Sequence, residues 1–344
     1  MNNSKTIVLC GGGTAGHIIP NIALVPELKK YFSRIVYFGE KNSLEYELAT
    51  QAGLEFVQIN SIRFNRENVW KNLKIPFVLS RYVLECKKIL KMLSPSVIFS
   101  KGGYVSLPVI LAGKKLDIPY CIHESDATIG LANKVVAKDA NFVFTNFPNT
   151  YSGKNTVVTG IPMRNNLFST KSSAEILNSL HLSNRKTILI VGGSLGSQKI
   201  NETVIKILPD LLKTYNVIHL TGKGKKQSYS SPGYVQFEFF DSIGELYKVS
   251  NVVISRAGAT TISELKALGK KAILIPLSKN ASRGDQIKNA ERMLGSPSFV
   301  VLDEDTLSSL SLKKAIDGLI LTPELKIKSF QNPSIIISQI LSKI

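Results

Sequence analysis

The chain has 344 residues, of which 44% are hydrophobic, 20% charged and 8% aromatic. This composition excludes a disordered, fibrous or low-complexity protein, and the length exceeds that of one ordinary core, so we expect two domains. The formal charge of +18 predicts attraction to polyanions such as nucleic acid, anionic lipid or phosphorylated substrates, although a lysine-rich surface from an AT-rich genome would give the same charge. Because no RNA-recognition signature or zinc-ligand spacing occurs, we expect no nucleic-acid partner.

The cysteines and the N-terminus indicate the compartment. Cys10, Cys86 and Cys121 are widely spaced in apolar surroundings, which predicts buried thiols in a reducing compartment rather than a disulfide framework. No basic-then-apolar leader precedes the first strand, and no run of about 18 uncharged apolar residues occurs. We therefore expect a cytosolic protein that does not span a membrane.

The two halves of the chain contain a degenerate repeat. Residues 5–9 (KTIVL) and residues 186–190 (KTILI) each precede a glycine loop. Further on, residues 97–103 (VIFSKGG) are echoed by residues 252–258 (VVISRAG), again an apolar run that stops at a serine, a base and glycine. Two echoes in the same order imply a duplicated architecture.

Short β-branched strands alternate with helix-period stretches in both halves, which is typical of parallel sheets. The pattern predicts an α/β protein with two Rossmann-like, doubly wound parallel-sheet domains facing one cleft. We expect an N-terminal domain over 1–162, a C-terminal domain over 163–330 and a final amphipathic helix within 331–344 that packs back on the N-terminal domain. The predicted strands are 35–38, 56–59, 120–123, 142–145, 217–220, 235–237 and 272–276, and helices are predicted near 200–213 and 261–268.

The first glycine loop, Gly11–Gly16, follows a strand and opens a helix, so its backbone N–H groups and the helix dipole favour an anion or a hydroxyl. The same residues satisfy G-x-G-x-x-G, and Glu40 follows the second strand at the distance expected for an NAD ribose ligand. A dehydrogenase is therefore an alternative. A third interpretation is that the glycines only allow the helix to pack closely on the strand.

The second half offers two further turns of this kind, Gly192–Ser197 and Arg256–Glu264, so that three anion-binding turns are expected to face the cleft. Glu264, predicted one turn into its helix, could accept hydrogen bonds from a ribose diol. The alternative is a first-turn acid that only complements the helix dipole.

Taken together, the motifs resemble the MurG family, the UDP-N-acetylglucosamine transferases that convert lipid I to lipid II in peptidoglycan synthesis. The resemblance spans positions 5 to about 295 in the correct order and is more specific than any single motif. It implies a GT-B fold, inversion at the anomeric carbon, no metal, UDP-N-acetylglucosamine and lipid I as partners, and a peripheral location on the cytoplasmic face of the bacterial cell membrane. The residues that carry it are Gly11–His17, Lys101–Ser106, His123–Glu124, Gly192–Gly196, Arg256–Glu264 and Asp285–Gln286.

The resemblance also implies roles for individual residues. Gly102, Gly103, Tyr104 and Asp126 are expected on the acceptor side, where Ser125-Asp126 replaces the usual Gln-Asn. An ionised Asp126 can only accept hydrogen bonds and would repel a diphosphate. Ala15 also departs from the usual Gly. The expected donor-binding residues are Thr14, Ala15, Gly16, Arg164, Ser194, Phe240, Ala259, Thr260, Thr261, Glu264 and Gln286.

An inverting transfer needs a base for the acceptor hydroxyl. We expect His17 in this role, because its ordinary pKa near 6.5 suits neutral pH and a helix N-terminus favours the neutral ring. The alternatives are that His17 only hydrogen-bonds within its loop and that Glu124 is the base. Glu124 could instead be a structural carboxylate, and His123 is expected to be a packed, hydrogen-bonded strand residue.

Residues 70–93 mix apolar and basic side chains, including Trp70, Phe77, Lys71, Lys74 and Arg81. Such a basic amphipathic surface can lie in the headgroup region of an anionic membrane. The ordinary alternative is a helix packed on the sheet with solvated lysines. A lipid-linked acceptor favours membrane docking.

Overall fold

The computed structural model describes residues 5–63, 69–193, 196–279, 284–323 and 330–344, with residues 69–71 described as backbone only. Clustering of contacts divides the chain into two compact units. The N-terminal unit comprises Met1–Arg164 and Gln331–Ile344, and the C-terminal unit comprises Asn165–Phe330.

The N-terminal unit contains a parallel sheet of seven described strands in the order β3-β2-β1-β4-β5-β6-β7. Helices connect the successive strands from β1 to β6, as is usual for parallel pairing, and a loop joins β6 to β7. The strands are β1 (Thr6–Cys10), β2 (Arg34–Gly39), β3 (Glu55–Gln58), β4 (Val97–Ser100), β5 (Tyr120–Glu124), β6 (Phe142–Thr145) and β7 (Thr156–Val158). The helices are α1 (Ala15–Leu28), α2 (Leu44–Gln51), α3 (Ile75–Leu93), α4 (Ser106–Lys114) and α5 (Leu131–Val136), and a 3₁₀ helix covers Val69–Lys74.

The C-terminal unit repeats this arrangement with six described parallel strands in the order β10-β9-β8-β11-β12-β13. Each sheet therefore starts at its centre and grows first to one side and then to the other, which is the doubly wound pattern. The strands are β8 (Thr187–Val191), β9 (Asn216–Leu220), β10 (Tyr234–Phe237), β11 (Val252–Ser255), β12 (Lys271–Leu274) and β13 (Phe299–Val301). The helices are α6 (Ser173–Ser179), α7 (Gln198–Leu211), α8 (Ile243–Val249), α9 (Ala259–Ala267), α10 (Asp285–Glu291) and α11 (Ser309–Leu321).

The central strands are buried along their length because helices cover both faces of each sheet. β1 (TIVLC) and β11 (VVIS) accordingly read as nearly continuous apolar runs. The three cysteines are free thiols inside the N-terminal unit, and burial raises the pKa of each, Cys10 to about 12. No helix in the described ranges is long and apolar enough to cross a membrane.

The chain returns to the N-terminal unit through α12 (Pro333–Ser342), which packs on α1. Ile337 and Leu341 of α12 are fully buried in the core cluster that also contains Leu24 of α1. At the start of α12, Asn332 donates to the carbonyl oxygen of Met163 (2.7 Å) and accepts from its N–H (3.2 Å). The amphipathic pattern of this segment thus has a partner surface.

One expectation about an individual element was wrong, and two short strands were missed. Gly258 is the N-cap of α9 and the helix begins at Ala259, so Glu264 is the sixth helical residue and lies in the second turn, too far in to be a first-turn acid. β7 and β13 were not predicted, because each has only three residues and is partly exposed, and so lacks the apolar run that marks the central strands.

Candidate active site

The topology of the N-terminal sheet directs two loops to one place. β1 pairs with β2 on one side and with β4 on the other, so the connections that leave β1 and β4 run in opposite directions. This switch point is where open α/β sheets bind ligands. The loops that meet there are residues 11–14 after β1 and residues 101–105 after β4.

These two loops are in close contact, and glycine makes the contact feasible. Gly103 has a φ of +81°, and a Cβ at this position would lie 2.5 Å from the carbonyl oxygen of Gly12 and 3.2 Å from Nδ1 of His17. A Cβ on Gly13 would lie 2.6 Å from the ring of Tyr104. The structure thus brings Gly103 and Tyr104 together with the first glycine loop and His17. Gly102, also left-handed at +83°, directs its N–H to the Ser100 hydroxyl.

The hydrogen bonds of His17 determine which ring nitrogen carries the proton. Nδ1 lies 3.1 Å from the carbonyl oxygen of Gly12 and 3.1 Å from the hydroxyl of Thr14. A carbonyl oxygen can only accept, so Nδ1 must donate, and the lone pair of the neutral ring is then on Nε2. Thr14 is the extended N-cap of α1, and Ala15 and Gly16 form the first turn, with their N–H groups at its N-terminal end.

Tyr104 is held by a polar cluster beside the loop. Its hydroxyl accepts from Arg63 (2.8 Å) and donates to Glu40 (3.4 Å), and the Arg63 guanidinium carbon lies 4.6 Å from the centre of the Tyr104 ring. The other oxygen of Glu40 accepts from Ser61 (2.6 Å). Glu40, the residue expected to meet a ribose in a dehydrogenase, is therefore engaged in positioning Tyr104.

Glu124, at the end of β5, is 5% exposed and holds the loop that follows it. One carboxylate oxygen accepts from the N–H of Asp126 (3.1 Å), and the other accepts from the N–H of Gly130 (2.9 Å) and the Nδ2 of Asn133 (2.9 Å). Both oxygens are thus used by the loop and by the first turn of α5. Asp126 is partly buried on this same loop, which begins at the edge of the sheet.

Sequence reasoning missed a buried lysine in this region. Lys101, directly after β4, places its Nζ 2.5 Å from Nδ1 of His123 and donates to the Ser125 hydroxyl (2.6 Å). Burial lowers the pKa of Lys101 to about 7, and the negative charges of Glu124 and Asp126 partly oppose this effect. His123 is fully buried on β5, as the sequence indicates, and burial together with Lys101 keeps the pKa of His123 well below its usual value.

The C-terminal unit has its own switch point, between β8 and β11. Gly196 has a φ of +67°, and a Cβ there would lie 2.0 Å from the carbonyl oxygen of Thr221, so the turn after β8 lies directly against the end of β9. Ser197 caps α7 by accepting from the N–H of Ile200. Ser194, a predicted donor contact, lies outside the described residues.

The turn after β11 leads into α9, where Ala259, Thr260 and Thr261 form the first turn. Glu264 follows in the second turn, is mostly buried, and accepts a hydrogen bond from the hydroxyl of Tyr247 (3.3 Å). The backbone N–H groups of the first turn lie at the N-terminal end of the helix, which favours an anionic group there.

Arg256 connects this turn to its neighbours, a role that the sequence did not reveal. It donates to Ser197 (2.7 Å) and to the carbonyl of Ile275 (3.2 Å), and it forms an ion pair with Glu304 whose partners are both mostly buried. Arg256 therefore braces the turns that follow β8, β11 and β12.

The remaining predicted donor residues lie in separate positions. Gln286, on α10, accepts from the N–H of Leu277 (3.1 Å), and Phe240 packs its ring 5.0 Å from that of Phe237 at the end of β10. Arg164 closes the first segment of the N-terminal unit, and its Nε is buried without a hydrogen-bond partner among the described residues. Within the same ranges, no group of three or more His, Cys, Asp or Glu side chains is arranged to hold a metal ion.

Two family profiles match the chain. The N-terminal domain of glycosyltransferase family 28 matches residues 7–145, and the C-terminal domain of that family matches residues 187–335. The first match covers β1 to β6 of the N-terminal sheet, and the second covers all six described strands of the C-terminal sheet. The chain is therefore a glycosyltransferase of family 28, and the dehydrogenase alternative is wrong.

Similar proteins show which group of family 28 glycosyltransferases the chain belongs to. The chain is 43% identical over 322 residues to the UDP-N-acetylglucosamine--N-acetylmuramyl-(pentapeptide) pyrophosphoryl-undecaprenol N-acetylglucosamine transferase of Lachnospira eligens, with 92% of this chain and 91% of the relative covered. It is 44% identical over 334 residues to the transferase of the same name from Lachnoclostridium phytofermentans, with 95% and 94% covered. The chain belongs to the MurG family, which confirms the resemblance drawn from the motifs.

A solved structure supports the fold assignment. The crystal structure of Acinetobacter baumannii MurG matches with a TM-score of 0.75 at 22% identity, covering 99% of this chain and 100% of that one. The S. aureus MnaA-UDP co-structure matches with a TM-score of 0.64 at 14% identity, covering 92% and 88%. The two Rossmann-like domains predicted from the repeat, and the GT-B fold that the resemblance implied, are thereby confirmed.

Proposed function

We propose that the chain transfers N-acetylglucosamine from UDP-N-acetylglucosamine to lipid I, with inversion at the anomeric carbon, and so produces lipid II for peptidoglycan synthesis. The observation that carries this proposal is identity above 40% over nearly the full length of relatives that bear this activity in their names. The arrangement of His17 supports the chemistry.

His17 is the proposed general base. With Nδ1 bound to the carbonyl of Gly12, the lone pair on Nε2 accepts the proton of the acceptor hydroxyl as its oxygen attacks the anomeric carbon. The bond from that carbon to the diphosphate breaks, and UDP leaves with the electron pair. The Gly12 carbonyl also stabilises the imidazolium that forms, because it accepts from the protonated Nδ1 throughout.

Glu124 then acts as a positioning residue. Its carboxylate already accepts three hydrogen bonds from the loop and helix that follow it, so a proton taken from substrate would disrupt the contacts that hold Asp126 and Gly130. We assign Gly102, Gly103, Tyr104 and Asp126 to the acceptor, as the resemblance implies.

The C-terminal unit is proposed to bind the donor. The first turn of α9 offers N–H groups to the diphosphate, and Glu264 accepts hydrogen bonds from the ribose. Arg164 carries a buried Nε that a phosphate oxygen would satisfy. Ser194, Phe240 and Gln286 belong to the same proposed set, to which the resemblance adds Arg164, Thr14, Ala15 and Gly16 from the N-terminal unit.

The test supplies radiolabelled UDP-N-acetylglucosamine and lipid I. The proposal expects labelled lipid II and one UDP per transfer, whereas a UDP-sugar 2-epimerase, a transferase for another glycolipid or a non-catalytic nucleotide-sugar-binding subunit would leave lipid I unlabelled. His17→Ala is expected to lower kcat by about 10²–10⁴-fold with donor KM nearly unchanged. His181→Asn, at an exposed histidine in the C-terminal unit, is the control.

If His17→Ala keeps near-normal kcat at saturating lipid I while Glu124→Gln abolishes it, Glu124 is the base and the assignment of His17 is wrong. Failure of the wild type to label lipid I would overturn the proposed activity itself.

We also propose that the chain docks peripherally on the anionic cytoplasmic face of the membrane through the exposed face of α3 and the 3₁₀ helix before it. Phe77 is 80% and Met92 79% exposed, and Leu73 and Leu84 lie on the surface as well. Lys74, Arg81, Lys88 and Lys91 are exposed around them. Apolar side chains ringed by cations suit the headgroup region, where each Lys or Arg contributes about 1 kcal/mol. The side chains of Trp70 and Lys71 lie outside the described residues.

Flotation on phosphatidylglycerol vesicles tests the docking surface. Replacing Lys74, Arg81 and Lys88 together by Glu is expected to weaken binding by about 100-fold or more at low salt, since roughly 3 kcal/mol of attraction is lost. The matched control changes three other exposed lysines of the same unit, Lys29, Lys41 and Lys154, to Glu. Equal flotation of the two triple variants would show that this face is not the docking surface.

A further inference from the structure

Glu45, in the first turn of α2, is a buried carboxylate that lies against the first glycine loop. It is 2% exposed, and its Oε1 has no hydrogen-bond donor among the residues that the structure describes. Moving a carboxylate out of water without a partner lowers the stability of a folded protein. Buried polar atoms without a partner are rare, and a catalytic role is one recognised reason for them. Stability does not account for a carboxylate at this position.

Two glycines make room for this side chain. A Cβ on Gly12 would lie 2.6 Å from Oε1 of Glu45, and a Cβ on Gly39, at the end of β2, would lie 2.7 Å from its Cγ. Neither glycine has a positive φ, so the backbone conformation does not require glycine at either position. In both cases the nearest atom belongs to Glu45. The carboxylate therefore lies directly against the backbone of Gly12.

Other side chains hold the inner part of the loop in place. The hydroxyl of Tyr37 donates to the carbonyl oxygen of Gly11 (2.6 Å), and Nδ2 of Asn21 donates to the carbonyl oxygen of Cys10 (3.2 Å). Burial above all, with the negative charge of Glu45 as a smaller contribution, raises the pKa of Tyr37, and burial raises the pKa of Cys10 to about 12. Both groups are therefore neutral near pH 7, and these hydrogen bonds anchor the loop independently of Glu45.

Gly12 connects Glu45 to the proposed base. Oε1 of Glu45 lies against Gly12, and the carbonyl oxygen of the same glycine lies 3.1 Å from Nδ1 of His17. The ring becomes a cation when its Nε2 takes the proton of the acceptor hydroxyl. A negative charge that only one glycine separates from the ring stabilises this cation, because charges interact more strongly where little water screens them.

The other charged groups near this loop are engaged elsewhere or have the wrong sign. Glu40 and Arg63 bind the same tyrosine hydroxyl, so their opposite charges largely cancel at His17. Lys101, which follows β4, is basic, and its Nζ is bonded to side chains at the end of β5 and just after it. Among the described acidic side chains, Glu45 is therefore well placed to balance a positive charge on His17.

We propose that Glu45 is a positioning residue for the transfer, whose carboxylate stabilises, across Gly12, the imidazolium that forms on His17. The inference rests on the proposed function, because it takes His17 as the base for the acceptor hydroxyl. Glu45 acts through its charge alone. It takes no proton from the substrate, so the bonds that form and break are those of the transfer itself.

Protonation of the His17 ring tests the effect of the charge without any substrate. The chain has four histidines, and the NMR signal of His17 in histidine-labelled protein is identified by its loss in His17→Ala. We expect Glu45→Gln to lower the pKa of His17 by about one unit, because the neutral amide no longer stabilises the protonated ring. Glu47→Gln is the matched control, since it makes the same change at an exposed residue of the same helix turn. It should leave the pKa of His17 unchanged.

The rate of transfer tests the consequence for catalysis. Because the carboxylate favours the protonated ring, Glu45→Gln should shift the acidic limb of the pH profile of kcat to lower pH by about one unit. A less basic ring also takes the proton less readily, so we expect kcat on the plateau to fall by about three- to tenfold. The KM values for donor and acceptor should each stay within about twofold of the wild type, since Glu45 is buried behind the loop.

Thermal unfolding separates this role from a structural one. Glu45→Met has a similar volume and no charge, and it removes the unpaired carboxylate, so its unfolding temperature should equal or exceed that of the wild type. Its kcat should fall as in Glu45→Gln. If both variants unfold at a lower temperature while the pKa of His17 stays unchanged, Glu45 only supports the loop and the inference is wrong.

The two proposals fail in different ways. Absence of labelled lipid II from the wild type overturns the proposed function, and the role of Glu45 in transfer with it, whatever the NMR titration shows. If the wild type makes lipid II, the inference alone is overturned when Glu45→Gln and Glu47→Gln give the same pKa for His17 or the same kcat.

Discussion

Gly103→Ala is expected to displace the proposed base, His17, while leaving the His17 side chain itself unchanged. The new Cβ would lie 2.5 Å from the carbonyl oxygen of Gly12, the atom that accepts from Nδ1 of His17. Carbon and oxygen do not approach this closely, and the obstructing atom is backbone, so the first glycine loop has to move. The hydrogen bond that fixes the tautomer and orientation of His17 is expected to break or turn.

The size of the effect follows from two contributions. The left-handed backbone conformation lowers the stability of the folded protein by about 1–2 kcal/mol when the residue has a Cβ. Forcing extra volume into a packed site lowers it by about 1–3 kcal/mol more. A displacement of about 1 Å at a catalytic group commonly costs about 10²-fold in rate. Gly53→Ala isolates the first contribution, because Gly53 is also left-handed, with a φ of +69°, but has no neighbour within 4 Å of its Cβ position.

Steady-state kcat at saturating UDP-N-acetylglucosamine and lipid I, together with thermal unfolding, measures both contributions. We expect Gly53→Ala to lose about 1 kcal/mol of stability with normal kcat, and Gly103→Ala to lose more stability and about 10²-fold in kcat. Gly103→Ala could lose stability as expected and still keep a kcat within about threefold of that of the Gly53→Ala variant. That result would show that the Gly12 carbonyl does not orient the base.

Three further predictions concern other positions. Glu264→Ala should raise the donor KM with a smaller change in kcat. Tyr247→Phe removes the hydrogen bond between Tyr247 and Glu264 and should leave the donor KM unchanged. Equal effects of the two variants on the donor KM would contradict a ribose contact of Glu264. Burial lowers the pKa of His219 to about 4, so the folded protein favours the neutral ring. The resulting stability is present above pH 6.5 and is lost as the pH falls toward 4, and the loss is at most about 3 kcal/mol. Urea unfolding at pH 7 and pH 4.5 should show this loss in the wild type and less of it in His219→Gln. Asn332→Ala should destabilise the protein by about 1–2 kcal/mol, because it removes the N-cap of α12 and both hydrogen bonds to Met163, and an unchanged unfolding midpoint would refute this.

The sequence predicts the central strands and the four-residue edge strands β3 and β10, but it misses the two edge strands of only three residues. Central strands such as β1 and β11 are apolar on both faces because helices cover both, and their repetition reveals the duplication. β7 and β13 are too short and too exposed to show such an apolar run. The start of α9 was placed late because Ala259 and Thr260 follow a glycine and look like loop residues.

For the site, motifs identify the loops but not the contacts between them. His17 was predicted from its position after a glycine turn, yet its tautomer depends on the Gly12 carbonyl, which only the loop conformation supplies. The role of Glu124 stayed open because its three donors lie on an irregular loop and on the short helix after it. Lys101 was quoted only as part of a motif, since its partners His123 and Ser125 become neighbours through the order of the strands.

The return of α12 to the N-terminal unit affects how the chain is made. The ribosome completes all of Asn165–Phe330 before Ile337 and Leu341 emerge, and these two side chains belong to the same core as Leu24. At a synthesis rate of about 5–20 residues per second, α12 is made on the order of ten seconds or more after the rest of the N-terminal unit. During that interval an apolar face of α1 has no cover, so the nascent chain is a candidate for chaperone binding at α1, and release of the folded enzyme depends on the last helix arriving.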